Sequence, residues 1–346
     1  MSKKSTGITL AELAADLKLT SGTVSRALNG YPDIAKATRE KVIIRAAQLN
    51  YSPSASAKRL ATGVVNTIGL VLPHMSSTIT DSFFVKFLEG AATEFAKTDR
   101  DILLTTVQNN ESEVEVYRRL WRTRKVDGFI VVRTRSDDER INFLLENNIP
   151  FVSHGRSDNA QQYPWYDADN QQAMENAIDH LANLGHKNIA YIGGANDYHF
   201  SKLRLAGFNA GLTKHNLDPN QPIFSGPLSE AFGYQCIQQI LSEQPNTSAV
   251  ICAQDKLALG VYRGLYQANL QPGRDISVLG YDDISASAYV NPPLSTMAPE
   301  QHLSGAICAE LFVLHLKTTD IAELQRIAPV RFIKRHSTAP PPNHFR

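Results

Sequence analysis

The sequence predicts an α + α/β chain: an all-helical N-terminal module followed by two doubly wound α/β lobes. Three observations predict it. Capping signals and helical spacing fill residues 8–50. From residue 66, short β-branched apolar runs alternate with amphipathic segments. The charge is also divided: residues 1–63 hold ten Lys and Arg against four Asp and Glu, a net +6, which leaves −5 on the rest of a chain whose total is +1. A basic small module on an acidic large one is the electrostatic footprint of a nucleic-acid binder with a separate second task. The length of 346 residues fits two domains. Boundaries fall at 1–50 for the helical module, 51–65 for a linker and 66–346 for the larger domain.

In the first module Thr9 and Glu12 form a capping box, hydroxyl and carboxylate each taking an orphan backbone N–H. Leu10, Leu13, Ala14 and Leu17 follow at helical spacing, so one face is apolar. Lys18-Leu19 make a short turn. Thr20 or Ser21 caps a second helix ending at Asn29-Gly30, residues that tolerate left-handed backbone. A third helix runs from about Lys36 to Leu49, burying Val42, Ala46 and Leu49. This is a helix-turn-helix pattern, whose second helix is slim enough to enter a major groove. A small structural bundle would show the same spacing.

The linker, with Pro53-Ser54-Ala55-Ser56-Ala57-Lys58-Arg59-Leu60-Ala61-Thr62-Gly63 at its centre, is Ala/Ser-rich and weakly helical. A lone helix of about ten residues is marginal in water, so a flexible tether is the plain reading.

In the larger domain strands are predicted at Thr67–Leu72, Ile102–Val107, Gly128–Val132, Phe151–Ser153, Ile189–Ile192, Ala249–Cys252 and Ile276–Leu279. Amphipathic segments such as Val85–Phe95, Met174–Leu184 and Leu257–Ala268 lie between them. Apolar strands separated by helices mean parallel sheets covered on both faces. Over about 280 residues this gives two lobes joined by crossing strands. Ligands in such folds bind at the carboxyl ends of the strands. Gly193-Gly194 suits a phosphate cradle or, better, a tight strand-to-helix turn, since no P-loop or dinucleotide pattern accompanies it.

Composition narrows the function classes. A hydrophobic fraction of 42% with 20% charged residues describes an ordinary globular protein. No apolar run reaches the roughly 18 residues of a membrane span. Residues 1–7 lack the apolar core of a secretory signal, so the cytoplasm is expected. Cys236, Cys252 and Cys308 are odd in number and far apart, which fits reduced buried thiols. The ten histidines form no cluster, so neither a metal site nor a cofactor is expected. No nucleophile elbow, Walker A motif or clustered nucleophile and base is present, so no catalytic residue is assigned.

Several blocks carry a more specific signal. Ile8 to Ala14, Thr23 to Gly30, Thr38 to Val42 and Leu49 to Pro53 resemble, in order and spacing, the headpiece of the LacI/GalR family of transcriptional regulators. Leu203-Arg204-Leu205-Ala206-Gly207-Phe208, Gln254-Asp255-Lys256-Leu257-Ala258-Leu259-Gly260 and Asp275 to Asp283 resemble the family's effector-domain blocks, so the resemblance covers nearly the whole chain. It implies two lobes of the periplasmic-binding-protein type. It also implies a repressor, with no enzymatic activity, whose partners are a double-stranded operator, a small carbohydrate effector and a second copy of the chain. No membrane partner is implied.

Carried over residue by residue, Ser21, Gly22 and Thr23 open the base-reading helix, with Ser25, Arg26 and Asn29 behind them and Tyr51 at the module's end. Arg26 suits either a bidentate guanine contact or a phosphate clamp. The linker is implied to coil into a hinge helix on the operator, where Leu60 wedges between base steps while Lys58 and Arg59 face phosphates. Two positions depart from the pattern. Lys18 stands where Gly is common, and Ala35 where a capping Ser is common, a loss of about 1 kcal/mol.

For the effector, Arg204, Gln254 and Asp282 are the implied contacts, a set able to donate to and accept from hydroxyls. Asp255 reads as a helix cap. His74, Phe83, Arg133 and His154 are candidates from the first lobe, and Phe84 reads as core. Gly155 falls where some relatives carry an acid, with His154 or Arg156 as possible substitutes. Leu228 falls where an aromatic platform is common, which leaves Trp165 as the alternative stacking residue. The segments at 133–138 and 154–156 are similar to those of regulators of glycoside uptake. A C-terminus without leucine heptads argues against a heptad-built tetramer. A sugar-processing enzyme, a transporter's solute-binding protein and a regulator answering to a partner protein are the competing readings.

Overall fold

The computed structural model describes residues 8–51, 63–72, 82–107, 111–194, 197–318 and 320–342. The chain divides into two compact units, Met1–Val65 and Asn66–Arg346.

In the first unit, α1 (Leu10–Leu17) starts on the full Thr9–Glu12 capping box. Its C-cap Lys18 takes φ +56°, the left-handed backbone that the glycine-like position demands. Thr20 caps α2 (Ser21–Leu28) through its side chain. Helix α3 (Lys36–Gln48) begins at Ala35 without any side-chain cap. Leu13, Ala14, Leu17, Val24, Ala27, Val42 and Ala46 form the core, with Leu49 and Tyr51 packed partly buried against it. The proposed hinge, including Lys58, Arg59 and Leu60, lies outside the described residues.

The second unit holds two six-stranded sheets. Lobe 1 is built on β1 (Thr67–Leu72), β2 (Asp101–Thr106), β3 (Gly128–Val131), β4 (Phe151–His154) and β5 (Trp165–Ala168). It is covered by α4 (Ser82–Ala96), α5 (Glu113–Arg122) and α6 (Glu139–Glu146). Lobe 2 uses β6 (Ile189–Gly194), β7 (Ile223–Gly226), β8 (Ala249–Cys252), β9 (Ser277–Tyr281) and β10 (Ser295–Ala298). Its helices are α7 (Asn170–Asn183), α8 (His199–Lys214), α9 (Glu230–Glu243) and α10 (Asp255–Gln267). The chain crosses between lobes three times. It passes from β5 to α7, then from β10 into α11 (Gln301–His315), which packs on α4. It returns from β11 (Gln325–Ala328) to β12 (Arg331–Ile333). The sheet orders are β11-β5-β4-β3-β1-β2 and β12-β10-β9-β8-β6-β7, parallel throughout except at β10–β12.

All seven predicted strands are present, with ends shifted by a few residues. One expectation is corrected: Gly193-Gly194 is strand, not turn, pairing with β7 as far as Gly226. A Cβ on Gly194 would sit 2.8 Å from Ser201 Oγ, so this glycine admits α8 against the sheet. The three cysteines are free and buried, as expected. Among the described residues no helix is long and apolar enough to cross a membrane, and no group of three or more His, Cys, Asp or Glu is placed to hold a metal ion.

Candidate functional site

The first candidate surface is the outer face of α2. Val24 and Ala27 point into the core, so helical geometry turns the intervening residues outward. Ser21, Gly22, Arg26 and Asn29 are exposed; Thr23 and Ser25 are half-buried. Thr23 Oγ1 lies 2.9 Å from Thr20 Oγ1, and Asn29 Nδ2 donates to the Ser25 carbonyl at 2.9 Å. The Arg26 guanidinium pairs with Asp33 and lies 5.8 Å from the Tyr31 ring centroid. That pair is exposed on both sides, so it holds Arg26 only weakly. Tyr51 contributes its ring to the module's core, and burial pushes its hydroxyl pKa up.

The second candidate site is a cleft between the two lobes, about 750 Å³ of space partly open to solvent. It lies at the carboxyl ends of β3, β4, β5, β8, β9 and β10, as the doubly wound topology requires. Phe83, Arg133, His154, Arg204, Gln254 and Asp282 all line it. At its mouth the lobes touch through backbone: His199 N donates to Thr134 O at 3.0 Å, and Ser136 N to Asp197 O at 3.4 Å.

Arg204 is held on several sides. Its Nε donates to Asn170 Oδ1 at 2.8 Å and Nη1 to the Ala253 carbonyl at 2.5 Å. The guanidinium carbon lies 3.5 Å from the Tyr281 ring centroid and 4.8 Å from that of Phe200. Fixing two nitrogens and stacking the plane holds the guanidinium in one orientation at the cleft. Gln254 is the N-cap residue of α10, yet its side chain makes no capping bond and faces the cleft.

Asp282 sits on a strained turn, with φ +113° there and +50° at Asp283. Such backbone persists only where its surroundings over-determine it. Here Asp282 N donates to Met297 O at 2.8 Å, its carbonyl accepts from Gln301 Nε2, and Arg335 Nη2 holds Asp283 at 2.7 Å. Asp255 completes the clamp, and its reading as a helix cap is corrected. Its fully buried carboxylate accepts from Ile284 N at 3.0 Å, Ser287 Oγ at 2.7 Å and Thr296 Oγ1 at 2.7 Å. Burial pushes its pKa up to about 6.

On lobe 1 the His154 ring lies 5.2 Å from Phe83 and 5.1 Å from Phe87. Burial, with the Arg204 charge second, lowers its pKa to about 4, so it is a neutral aromatic wall. Phe84 is core and also reaches the cleft. Gly155 has φ +96°, and a Cβ there would lie 2.6 Å from Thr134 Oγ1, so an acid has no room. Arg156 turns to Asp167 instead, Nε to Oδ2 at 2.9 Å.

Trp165 is a second correction. It opens β5, whereas the cleft lies at that strand's far end; its Nε1 donates to the Ala160 carbonyl at 3.0 Å and its ring packs against the lobe 1 core. Leu228 packs on the lobe 2 core beside Gly194. His74 lies outside the described residues. Sequence reasoning missed Asp167, Asn170, Phe200 and Tyr281 as cleft residues. Asp167 and Asn170 did leave a signal: they are polar residues flanking a strand end just ahead of an amphipathic helix.

Residues 9–54 match the description of bacterial regulatory proteins of the lacI family, and residues 178–338 that of a periplasmic binding protein-like domain. The chain is 34% identical over 341 residues to the HTH-type transcriptional regulator AglR of Rhizobium meliloti (strain 1021), covering 97% of this chain and 96% of the relative. It is 27% identical to catabolite control protein A of Priestia megaterium, over 96% and 99% of the two chains. A lac repressor dimer bound to operator and the anti-inducer ONPF matches with a TM-score of 0.81 at 26% identity, covering 96% of this chain and 99% of that one. A complex of the regulator CelR with cellobiose matches with a TM-score of 0.74 at 25% identity, over 95% and 99%. With a helix-turn-helix ahead of two binding-protein-like lobes and full-length likeness to such regulators, the chain belongs to the LacI family: it is a DNA-binding transcriptional regulator, not an enzyme.

Proposed function

We propose that this regulator is a repressor whose operator affinity is set by a carbohydrate bound in the cleft between the lobes. The observation that carries the reading is the composition of that cleft. Aromatic walls from Phe83 and Phe200 suit the apolar face of a sugar ring, while Arg204, Gln254 and Asp282 suit its hydroxyls. Structurally similar regulators hold cellobiose and ribose. Arg133, which lines the cleft, and His74, which lies outside the described residues, are assigned to the same ligand.

The operator is read by α2, with Ser21, Gly22, Thr23, Ser25, Arg26 and Asn29 toward the bases and Tyr51 supporting the linker's exit. Lys58 and Leu60 act in the hinge, Lys58 on phosphates and Leu60 as a minor-groove wedge. The protein works as a homodimer on a near-palindromic site, as a lac repressor dimer does on its operator, and genes for sugar or glycoside uptake are the expected targets. A thermal-shift screen with mono- and disaccharides tests the effector: a sugar at 100 times its dissociation constant adds about 2.7 kcal/mol of stability. Footprinting upstream of neighbouring genes, with and without the responding sugar, tests the switch. No response to any carbohydrate, with a partner protein changing operator occupancy instead, would overturn the sugar reading.

A further inference from the structure

Asp167 is the penultimate residue of β5, on the lobe 1 side of the first crossing, and is only 3% exposed although it lines the cleft. Its Oδ2 accepts from Arg156 Nε at 2.9 Å and its Oδ1 from Asn170 Nδ2 at 3.2 Å. Asn170 in turn takes Arg204 Nε at 2.8 Å and the Tyr281 hydroxyl at 3.0 Å. The result is a polar chain, Arg156–Asp167–Asn170–Arg204, half-buried at Arg156 and buried from Asp167 onward, that runs from lobe 1 into lobe 2. An ionised carboxylate offers about four acceptor positions; Arg156, Asn170 and the Ala168 backbone N–H take three of them, which leaves one for a hydroxyl in the cleft. Among the described lining residues of lobe 1, Asp167 is the acid; Asp282 is the acid of lobe 2. An acceptor on each lobe lets one polyhydroxylated molecule bridge both.

We propose that Asp167 is a specificity-determining residue of the cleft, accepting an effector hydroxyl from the lobe 1 side, with Arg156 and Asn170 as its positioning residues. The assignment rests on the reading of the cleft as a carbohydrate site. A brace between the lobes is the competing role. The two differ in what removal of the charge does: a brace matters to folding and operator grip, a hydroxyl acceptor to sugar affinity.

Titration offers a second, variant-free handle. Burial pushes the Asp167 carboxyl up to about 6, against the pull of Arg156. Around it, His154 on β4 is held neutral by burial, and burial keeps Tyr281 on β9 and Cys308 on α11 protonated. The guanidinium groups of Arg156 and Arg204 do not titrate near neutrality. Asp282 shares the cleft, so the variant's own pH profile separates its contribution.

The experiment titrates glucose, ribose, maltose and cellobiose calorimetrically into full-length wild type, Asp167→Asn, Arg156→Gln and Arg156→Lys, with operator affinity in the absence of sugar as the folding control. A sugar that binds wild type is expected to bind Asp167→Asn roughly tenfold to a hundredfold more weakly, the worth of a hydrogen bond to a charged group. Arg156→Gln should lose affinity and Arg156→Lys recover part of it, with operator affinity unchanged in all three. Wild-type affinity should fall as pH drops through about 6, and the Asp167→Asn profile should be flat there. Equal sugar affinity in wild type and Asp167→Asn overturns the assignment of Asp167 alone. If Asp167→Asn fails to fold, a wild-type affinity unchanged from pH 7 to pH 5 overturns it equally. Binding by wild type of none of these four and of no other mono- or disaccharide in the thermal-shift screen removes the carbohydrate reading and this assignment with it.

Discussion

Arg26 on α2 leaves 52% of its side chain in solvent, whereas Arg204 in the cleft is 7% exposed. The contrast extends through both units. The helical module presents its functional side chains outward on a helix whose other face is core, so a partner meets them as they stand. The larger unit draws single residues from six strand ends and fixes them by bonds across long stretches of chain. The first arrangement depends on a small core staying folded, the second on a network staying connected. Damage to each should therefore read out differently.

The largest effect is expected from Leu13→Ala. Leu13 is fully buried in a core of seven residues, and its truncation costs about 2–5 kcal/mol. A module this small has little more than that in reserve. Gel-shift binding to the operator should vanish while sugar affinity of the larger unit persists; loss of both would break the comparison. Arg204→Ala should do the opposite, weakening sugar binding about a hundredfold at unchanged operator affinity without sugar.

Mild acid should also separate the units. Residues 1–65 contain no histidine. In the larger unit burial lowers the pKa values of His154, His180, His186, His199 and His315. A depressed histidine supports the fold above its ordinary value near 6.5, and that support is lost as pH falls and the unfolded chain takes the proton. Asp167 and Asp255, raised to about 6, act in the other sense, gaining folded-state protons over the same interval. With five groups against two, the melting transition of the larger unit should weaken by the order of 1 kcal/mol between about pH 7.5 and 5.5, and that of the helical module should not. Calorimetry at the two pH values checks it. The smallest change is Ala35→Ser, which supplies the missing cap of α3. It should raise the module's stability by about 1 kcal/mol and leave sugar affinity untouched, as chemical melts would show.

The same contrast decides what the sequence discloses. The helical module was legible almost residue by residue, because capping boxes, apolar spacing and the Lys18 turn act over a few positions. Apolar strands such as β1 and β8 were equally plain. The edge strands β7, β11 and β12, with their half-exposed residues, carried no comparable pattern. In the cleft, Arg204, Gln254 and Asp282 were reachable through motif resemblance. Asp167 and Asn170 left only their polarity ahead of an amphipathic helix, since their place in the cleft comes from bonds to residues as distant in sequence as Tyr281. Trp165 was misjudged for a related reason: composition shows that β5 holds an aromatic, but only topology shows which end of the strand meets the ligand.

The three crossings between the lobes have a mechanical consequence. Three polypeptide spans side by side behave as a flexure: they bend readily about one line and resist sliding or twisting. Relative motion of the lobes should therefore run mainly along one degree of freedom, opening and shutting around the cleft. A protease that severs one span leaves two intact, so a nicked molecule keeps its lobes in register and should still shut around its ligand.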